Sequence, residues 1–205
     1  LLLAGCVQTN HSMVPMRDGV SLATDVYTPR TSTSPHGAIL VRTPYNKNLL
    51  IFTGTNWAQN GWPTVIQDMR GRYASEGIDT VFRNEHTDGP DTLTWIANQA
   101  WSNGKVATFG GSALGITQYF TAGANPPNLA CQYIQVASPN LFKHAMYPGG
   151  EFRKNLIEEW LKGQGIEEVL PELWAHENYT IDYWTNVSLE DNWQDVNVPA
   201  IHIGG

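Results

Sequence analysis

Between residues 37 and 137, short largely apolar runs alternate with segments of helical apolar spacing, and this alternation leaves few folds open. The runs at 37–42, 62–68, 105–109 and 132–137 are too short for helices, and each suits a strand buried on both faces. Segment 49–60 has helical spacing and ends at Gly61, and segment 113–122 is closed by Gly123 and the Pro126-Pro127 break. In the remaining interval Asp88 is placed to cap a helix over 89–99, with Leu93, Ile96, Ala97 and Ala100 on one face. Such alternation with short turns implies a mainly parallel sheet with helices on both faces, an α/β fold. Ahead of it, 12–16 and 21–28 read as two strands joined by the turn Arg17-Asp18-Gly19. Residues 71–83 read as a polar loop.

Beyond residue 148 the pattern changes. Helical segments at 151–163 and 166–174 share a stretch that carries Trp160, Trp174, Trp184 and Trp193. An aromatic, helical insertion between two core strands suits a cap over a site. It equally suits a packing layer on the core edge.

Composition narrows the partners. An apolar fraction of 41%, with 8 Trp, 8 Tyr and 6 Phe, supplies a substantial core. The 19 acidic and 12 basic residues give a net charge of −7 without a Lys/Arg cluster, which argues against nucleic acid as a partner. No apolar run approaches the roughly 18 residues of a spanning helix. Two cysteines, Cys6 and Cys131, make neither a disulfide framework nor a dedicated zinc site. Cys131, beside a buried run, reads as a core residue.

The termini carry their own expectations. Leu1-Leu2-Leu3-Ala4-Gly5-Cys6 is similar to the end of a bacterial lipoprotein signal, which implies export and a lipid anchor on Cys6 at the cell envelope. The other reading is three leucines capping a core. Residues 198–205 read as a buried strand entering a glycine turn, so the chain is expected to be a fragment of a longer protein. The expected layout is a residual signal and tether over 1–11, a core over 12–147, a helical cap over 148–195 and a return to the core over 196–205.

Chemistry concentrates at residues 105–115. A short strand leads through Gly110-Gly111-Ser112-Ala113-Leu114-Gly115 into a helix. A serine on so tight a strand-to-helix turn is held in strained backbone angles with its hydroxyl exposed, the arrangement of a nucleophile elbow. Gly110 and Gly115 lack side chains that would collide as helix crosses strand. The Ala113 amide, first in the helix, is available to an oxyanion. Leu114 departs from the small residue that the pattern usually has two positions after the serine. An ordinary strand–helix turn is the plain alternative. A phosphate loop is excluded because Ile116, not lysine, follows Gly115, and a dinucleotide loop is disfavoured because the turn follows a late strand.

Two further clusters follow buried strands, where open α/β sheets bind ligands. In Arg42-Thr43-Pro44-Tyr45-Asn46-Lys47, the Tyr45 hydroxyl could donate to an oxyanion, or could belong to a surface tyrosine in a proline turn. In 68–77, Arg70 and Arg72 with Asp68 and Glu76 nearby suit ion pairs that anchor a loop.

Together these segments resemble the Xaa-Pro dipeptidyl-peptidase and cocaine-esterase-like (CocE/NonD) family of serine hydrolases. The matching stretches are 16–20 with 23–27, 41–45, 67–77, Asp88-Gly89 with Asp91-Thr92, Trp95 with 99–106, the elbow, 125–129, 147–150 and 198–205, in family order. The resemblance implies an α/β-hydrolase fold, incomplete at its C-terminal end here, with a helical cap. It implies cleavage of ester or amide (peptide) bonds through an acyl-enzyme on Ser112. The Tyr45 hydroxyl and the Ala113 N–H would hold the oxyanion, although family members usually have tyrosine at Ala113. The family's Asp and His come after the stretch matching 201–205, so none of His11, His36, His86, His144, His176 and His202 is a good base by chain order. His202 reads as structural, and the isolated chain is expected to be inactive.

A related group, the α-amino acid ester hydrolases, binds a substrate ammonium with a carboxylate cluster. In the stretch matching 143–151 this chain has Glu151 as its only acid, beside basic Lys143 and His144, which disfavours such a substrate. The cap aromatics suggest an apolar or aromatic acyl group. No metal or organic cofactor is called for. The competing readings are a non-catalytic binding lipoprotein that keeps the fold, and an interaction protein using the sheet as scaffold.

Overall fold

The computed structural model describes residues 7–30 and 35–204. The expectations for Cys6, the leading leucines and Gly205 fall outside the described residues. The strands are β1 (Val7–Pro15), β2 (Ser21–Pro29), β3 (His36–Thr43), β4 (Thr64–Asp68), β5 (Ser102–Gly111), β6 (Leu129–Gln135) and β7 (Ala200–Ile203). The helices are α1 (Ile51–Gln59), α2 (Glu85–Ala97), α3 (Ala113–Gly123), α4 (Lys154–Gln164), α5 (Leu170–Ala175) and α6 (Ile181–Trp184).

Among the described residues the strands form one sheet in the order β1-β2-β4-β3-β5-β6-β7. The hairpin β1–β2 and the β2–β4 pair are antiparallel, and the pairs β3–β4, β3–β5, β5–β6 and β6–β7 are parallel. The hairpin turn closes with the Met16 amide on the Val20 carbonyl at 2.8 Å, and Gly19 takes φ +87°. Left-handed backbone of this kind is open to glycine at little cost.

The two faces of the central strands are buried separately. Val26, Leu40, Val65 and Val106 pack with Leu93 and Ile96 of α2 and Ala122 of α3. The alternate residues Tyr27, Val41 and Ile66 pack with Ala58 of α1. This alternation is why every residue of β4 is buried. Each large side chain buried this way contributes roughly 1.5–3 kcal/mol.

Three details differ from the sequence reading. The helix expected over 89–99 begins at Glu85, and Asp88 sits inside its first turn rather than capping it. Its carboxylate is taken by Arg70, at 2.6 and 2.9 Å, so it is unavailable to the helix amides. Cys131 is exposed, not core. It lies on the face of β6 that, with Phe109, Tyr133 and Ile201, lines an open apolar cavity of about 330 Å³. Finally, 71–83 is a loop, but Val81 and Phe82 within it are buried.

From β6 to β7 the chain runs through short helical segments, of which α4 is the longest. Trp184 is fully buried there, against Phe142 and Tyr147. Trp174 and Trp193 are about half exposed.

Candidate active site

β5 and α3 meet at Ser112, whose backbone lies at φ 53° and ψ −125°. Few non-glycine residues hold positive φ, and such strain persists only where the surroundings enforce it. The enforcement is visible on both sides. The Ser112 amide donates to the Gln135 carbonyl of β6 at 2.9 Å, while the Ser112 carbonyl accepts from Gly115 and Ile116 at 2.9 and 3.0 Å. The helix approaches closely because two glycines allow it. A Cβ at Gly110 would lie 2.4 Å from the Leu114 Cβ, and one at Gly115 would lie 2.5 Å from the Ala137 Cβ. Gly110 thus makes room for the leucine that departs from the common pattern.

Below the turn, buried Gln118 of α3 stitches helix to sheet. Its amide nitrogen lies 3.0–3.1 Å from the carbonyls of Gly110, Leu114 and Tyr133, and its oxygen accepts from Thr108 Oγ1 at 2.9 Å. The sequence reading passed over Gln118. The available signal was a polar side chain on the apolar face of a helix.

Ser112 is exposed to a cavity of about 120 Å³. Its walls come from the elbow (Ala113, Ile116), the 71–83 loop (Val81, Phe82) and the insertion (Leu141, Ala145, Met146, Leu156, Ile157, Trp160, Leu161). No charged side chain is among them. Val81 and Phe82 hold φ 51° and 69°. Asp79 accepts the Val81 amide at 2.9 Å and faces Arg72 at 3.5 Å, which braces that strained pair. Two apolar residues in an otherwise polar loop were the overlooked sequence signal.

Tyr45 is half-buried. Its amide donates to Thr43 Oγ1 at 3.0 Å, and its hydroxyl accepts from the Trp160 indole N–H at 3.0 Å. The hydroxyl therefore sits one hydrogen bond from a wall of the Ser112 cavity. Ala113 opens α3, so its N–H has no carbonyl behind it within the helix.

The arginines of 68–77 anchor the loop, through partners other than the expected Asp68 and Glu76. Arg70 pairs with Asp88 and Asp18. That bond from Arg70 holds the Asp18 carboxyl below its usual range. Arg72 donates to the Pro44 carbonyl at 3.1 Å and to the Gln164 carbonyl and side-chain oxygen at 2.8 and 2.9 Å. Glu76 instead accepts the Ser21 amide at 3.0 Å. Beneath the loop, Arg42 pairs with buried Glu85, whose carboxyl burial pushes up to about 7.

The described histidines sit elsewhere. His202 on β7 stacks on Tyr119 and bonds its hydroxyl at 2.9 Å. His11 pairs with Asp25 at 2.6 Å, and His176 stacks on Tyr183. His86, pushed down by burial, lines a separate cavity. Lys143 pairs with Glu190, and neither Lys143, His144 nor Glu151 lines the Ser112 cavity.

A strained serine between a parallel strand and the helix that follows it, on this sheet order, defines an α/β-hydrolase-fold protein. Solved structures agree on the fold. A CocE/NonD family hydrolase from Staphylococcus aureus superposes with a TM-score of 0.83 at 20% identity, over 94% of this chain and 39% of that one. An α-amino acid ester hydrolase superposes at 0.79 with 23% identity, over 98% and 42%. In sequence, the chain is 40% identical over 163 residues to the cocaine esterase of Rhodococcus sp. (strain MB1 Bresler). That match covers 75% of this chain and 28% of the relative, so the chain spans under a third of that protein's length. The profile of the X-Pro dipeptidyl-peptidase (S15) family matches residues 18–170. The chain belongs to that family.

Proposed function

We propose that the protein carrying this chain is a serine hydrolase that cleaves ester or amide bonds of an uncharged, apolar acyl group. One observation carries the reading: a strained, exposed serine opens onto an uncharged cavity, and one wall of that cavity, Trp160, bonds the Tyr45 hydroxyl. The 40% identity to a cocaine esterase supports it.

In this reading Ser112 Oγ attacks the acyl carbonyl. The Tyr45 hydroxyl and the Ala113 N–H hold the developing oxyanion; its collapse breaks the scissile bond and expels the alcohol or amine, which leaves with the serine's proton. Water then attacks the ester on Ser112, releases the acid and frees the serine, and no metal enters. His11, His176 and His202 are engaged with other side chains and His86 lines a separate cavity, so in this reading none of these four takes the Ser112 proton. The acyl group occupies the cavity. At about 120 Å³ the cavity suits a compact acyl group better than a long chain. An α-ammonium group would meet no carboxylate there.

The test uses the whole protein with a fluorophosphonate probe and a series of p-nitrophenyl esters. Ser112 should be labelled, and Ser112→Ala should lose labelling and at least about 10⁴-fold in kcat. Butyrate and benzoate esters should outperform both acetate and octanoate. A folded protein that binds the esters without labelling or turnover would favour the non-catalytic binding reading instead.

We also propose export and lipid anchoring through Cys6, on the sequence of residues 1–6 alone. Metabolic labelling with a palmitate analogue, lost in Cys6→Ser, is the expected result. An unlabelled, membrane-free protein would refute it.

A further inference from the structure

We infer that Trp160 and Arg72 are positioning residues that aim the Tyr45 hydroxyl, so that the insertion between β6 and β7 completes the oxyanion hole. This rests on the proposed roles of Ser112 and Tyr45. An indole N–H can only donate, so in the 3.0 Å contact between Trp160 Nε1 and the Tyr45 hydroxyl the tyrosine oxygen is the acceptor. A phenol has one proton to give. With an oxygen lone pair committed to Trp160, that proton is turned away from the indole, and no hydrogen bond from it reaches another described residue. Accepting one bond also polarises a hydroxyl and strengthens it as a donor. Trp160 itself lines the Ser112 cavity. The proton it leaves free therefore belongs to a hydroxyl one hydrogen bond from a wall of the Ser112 cavity.

A hydrogen bond between two separate segments aims a group only if both segments are held in register. Arg72 supplies the register. One guanidinium bonds the Pro44 carbonyl, immediately before Tyr45, and both oxygens of Gln164, one helical turn after Trp160. Arg72 is only 7% exposed, and Asp79 lies 3.5 Å away to balance its charge. Trp160 is steadied from a third side, its ring stacked on Phe82 at 5.9 Å and 25°. The three groups thus clamp the tyrosine loop to α4 with directional bonds, where apolar packing alone would leave the hydroxyl free to rotate.

The experiment is a double-mutant cycle in the whole protein, measuring kcat and KM for p-nitrophenyl butyrate. Trp160→Phe keeps an aromatic ring against Phe82 and deletes the N–H. Replacing Trp160 with benzothienylalanine keeps the shape as well and deletes only the N–H. Either should lower kcat about 10-fold with KM within twofold. Tyr45→Phe should lower kcat about 10²-fold, the loss typical of one oxyanion donor. Adding Trp160→Phe to Tyr45→Phe should cost nothing more, because the hydroxyl being aimed is gone. Arg72→Met should lower kcat in the same direction, again only when Tyr45 is present.

Penalties that multiply in the double variant, a benzothienyl enzyme at the parental kcat, or a change confined to KM would each overturn the inference and leave the serine-hydrolase reading standing. A Tyr45→Phe enzyme at the parental rate would overturn the oxyanion role of Tyr45, and the inference with it. Stoichiometric fluorophosphonate labelling of every variant confirms that the site is folded.

Discussion

The core beneath the elbow and the insertion over it are built by different means. In the core, charge is buried and paired: Arg42 with Glu85, and Arg70 with Asp88, all at most 8% exposed. Close approaches are fixed by absent side chains, at Gly110, Gly115 and at Gly89, where a Cβ would lie 2.0 Å from Thr121 Oγ1. The insertion is made of short helices and stacked aromatics, and its ion pair, Lys143 with Glu190, is largely open to solvent. It meets the core through a few directed bonds, such as Arg72 to Gln164 and Trp160 to Tyr45. The difference teaches a division of labour. The core holds Ser112 in its strained turn, where any displacement is costly. The insertion supplies most of the cavity's walls, from Leu141 to Leu161, and none of the bonds that hold the Ser112 backbone.

Four measurements on the whole protein would break or sharpen that contrast. The largest effect is expected from Arg42→Met. It leaves Glu85 buried without its cation, which typically costs about 3–5 kcal/mol. Urea unfolding should show this, and more strongly at pH 8 than at pH 5, because the orphaned carboxyl must then be charged. Next is Gly115→Val, whose first added carbon would sit 2.5 Å from the Ala137 Cβ and 3.2 Å from Ile134 Cγ2. Overpacking of this kind costs about 1–3 kcal/mol, and fluorophosphonate labelling of Ser112 should slow as the elbow shifts. Stability near that of the parent would mean that α3 can slide and that the core is no more rigid than the insertion.

The third measurement is a slope. Burial raises the Glu85 carboxyl from 4.5 to about 7 in the folded chain, so the native state holds this proton more tightly than the unfolded state. The stability it contributes is complete below pH 4.5 and is lost as pH rises through about 7. Glu85→Gln should flatten that fall between pH 5 and pH 8. An unchanged slope would show that Arg42 keeps the carboxylate ionised throughout. The smallest effect belongs to the insertion. Lys143→Met removes an exposed pair and should change stability by no more than about 1 kcal/mol. A larger loss would make the insertion as tightly built as the core.

Much of the core was legible because its signals are local. A continuous apolar run marked β3, short largely apolar segments marked β4, β5 and β6, and Gly110-Gly111-Ser112 marked the elbow within a few residues of sequence. The hairpin followed from Arg17-Asp18-Gly19. What misled was competition over distance. Asp88 has the side chain of a helix cap, yet Arg70, 18 residues earlier, takes its carboxylate. Arg70 and Arg72 lie beside Asp68 and Glu76 in sequence, yet they bond Asp88, Asp18, Pro44 and Gln164. Cys131 stands in an apolar run, yet strand alternation turns it to an exposed face.

Local rules therefore determined which residues form strands, where the serine turns and what family the chain joins. A tight turn, a buried strand and a helix stop are each decided by neighbouring side chains. Only the tertiary structure decided that Val81 and Phe82 wall the cavity and that Trp160 reaches Tyr45 across 115 residues. It also decided that one arginine bonds the tyrosine loop and, 92 residues further along the chain, the end of α4. Those contacts join stretches with no shared periodicity, and they exist because the sheet order brings separate loops to the same strand ends.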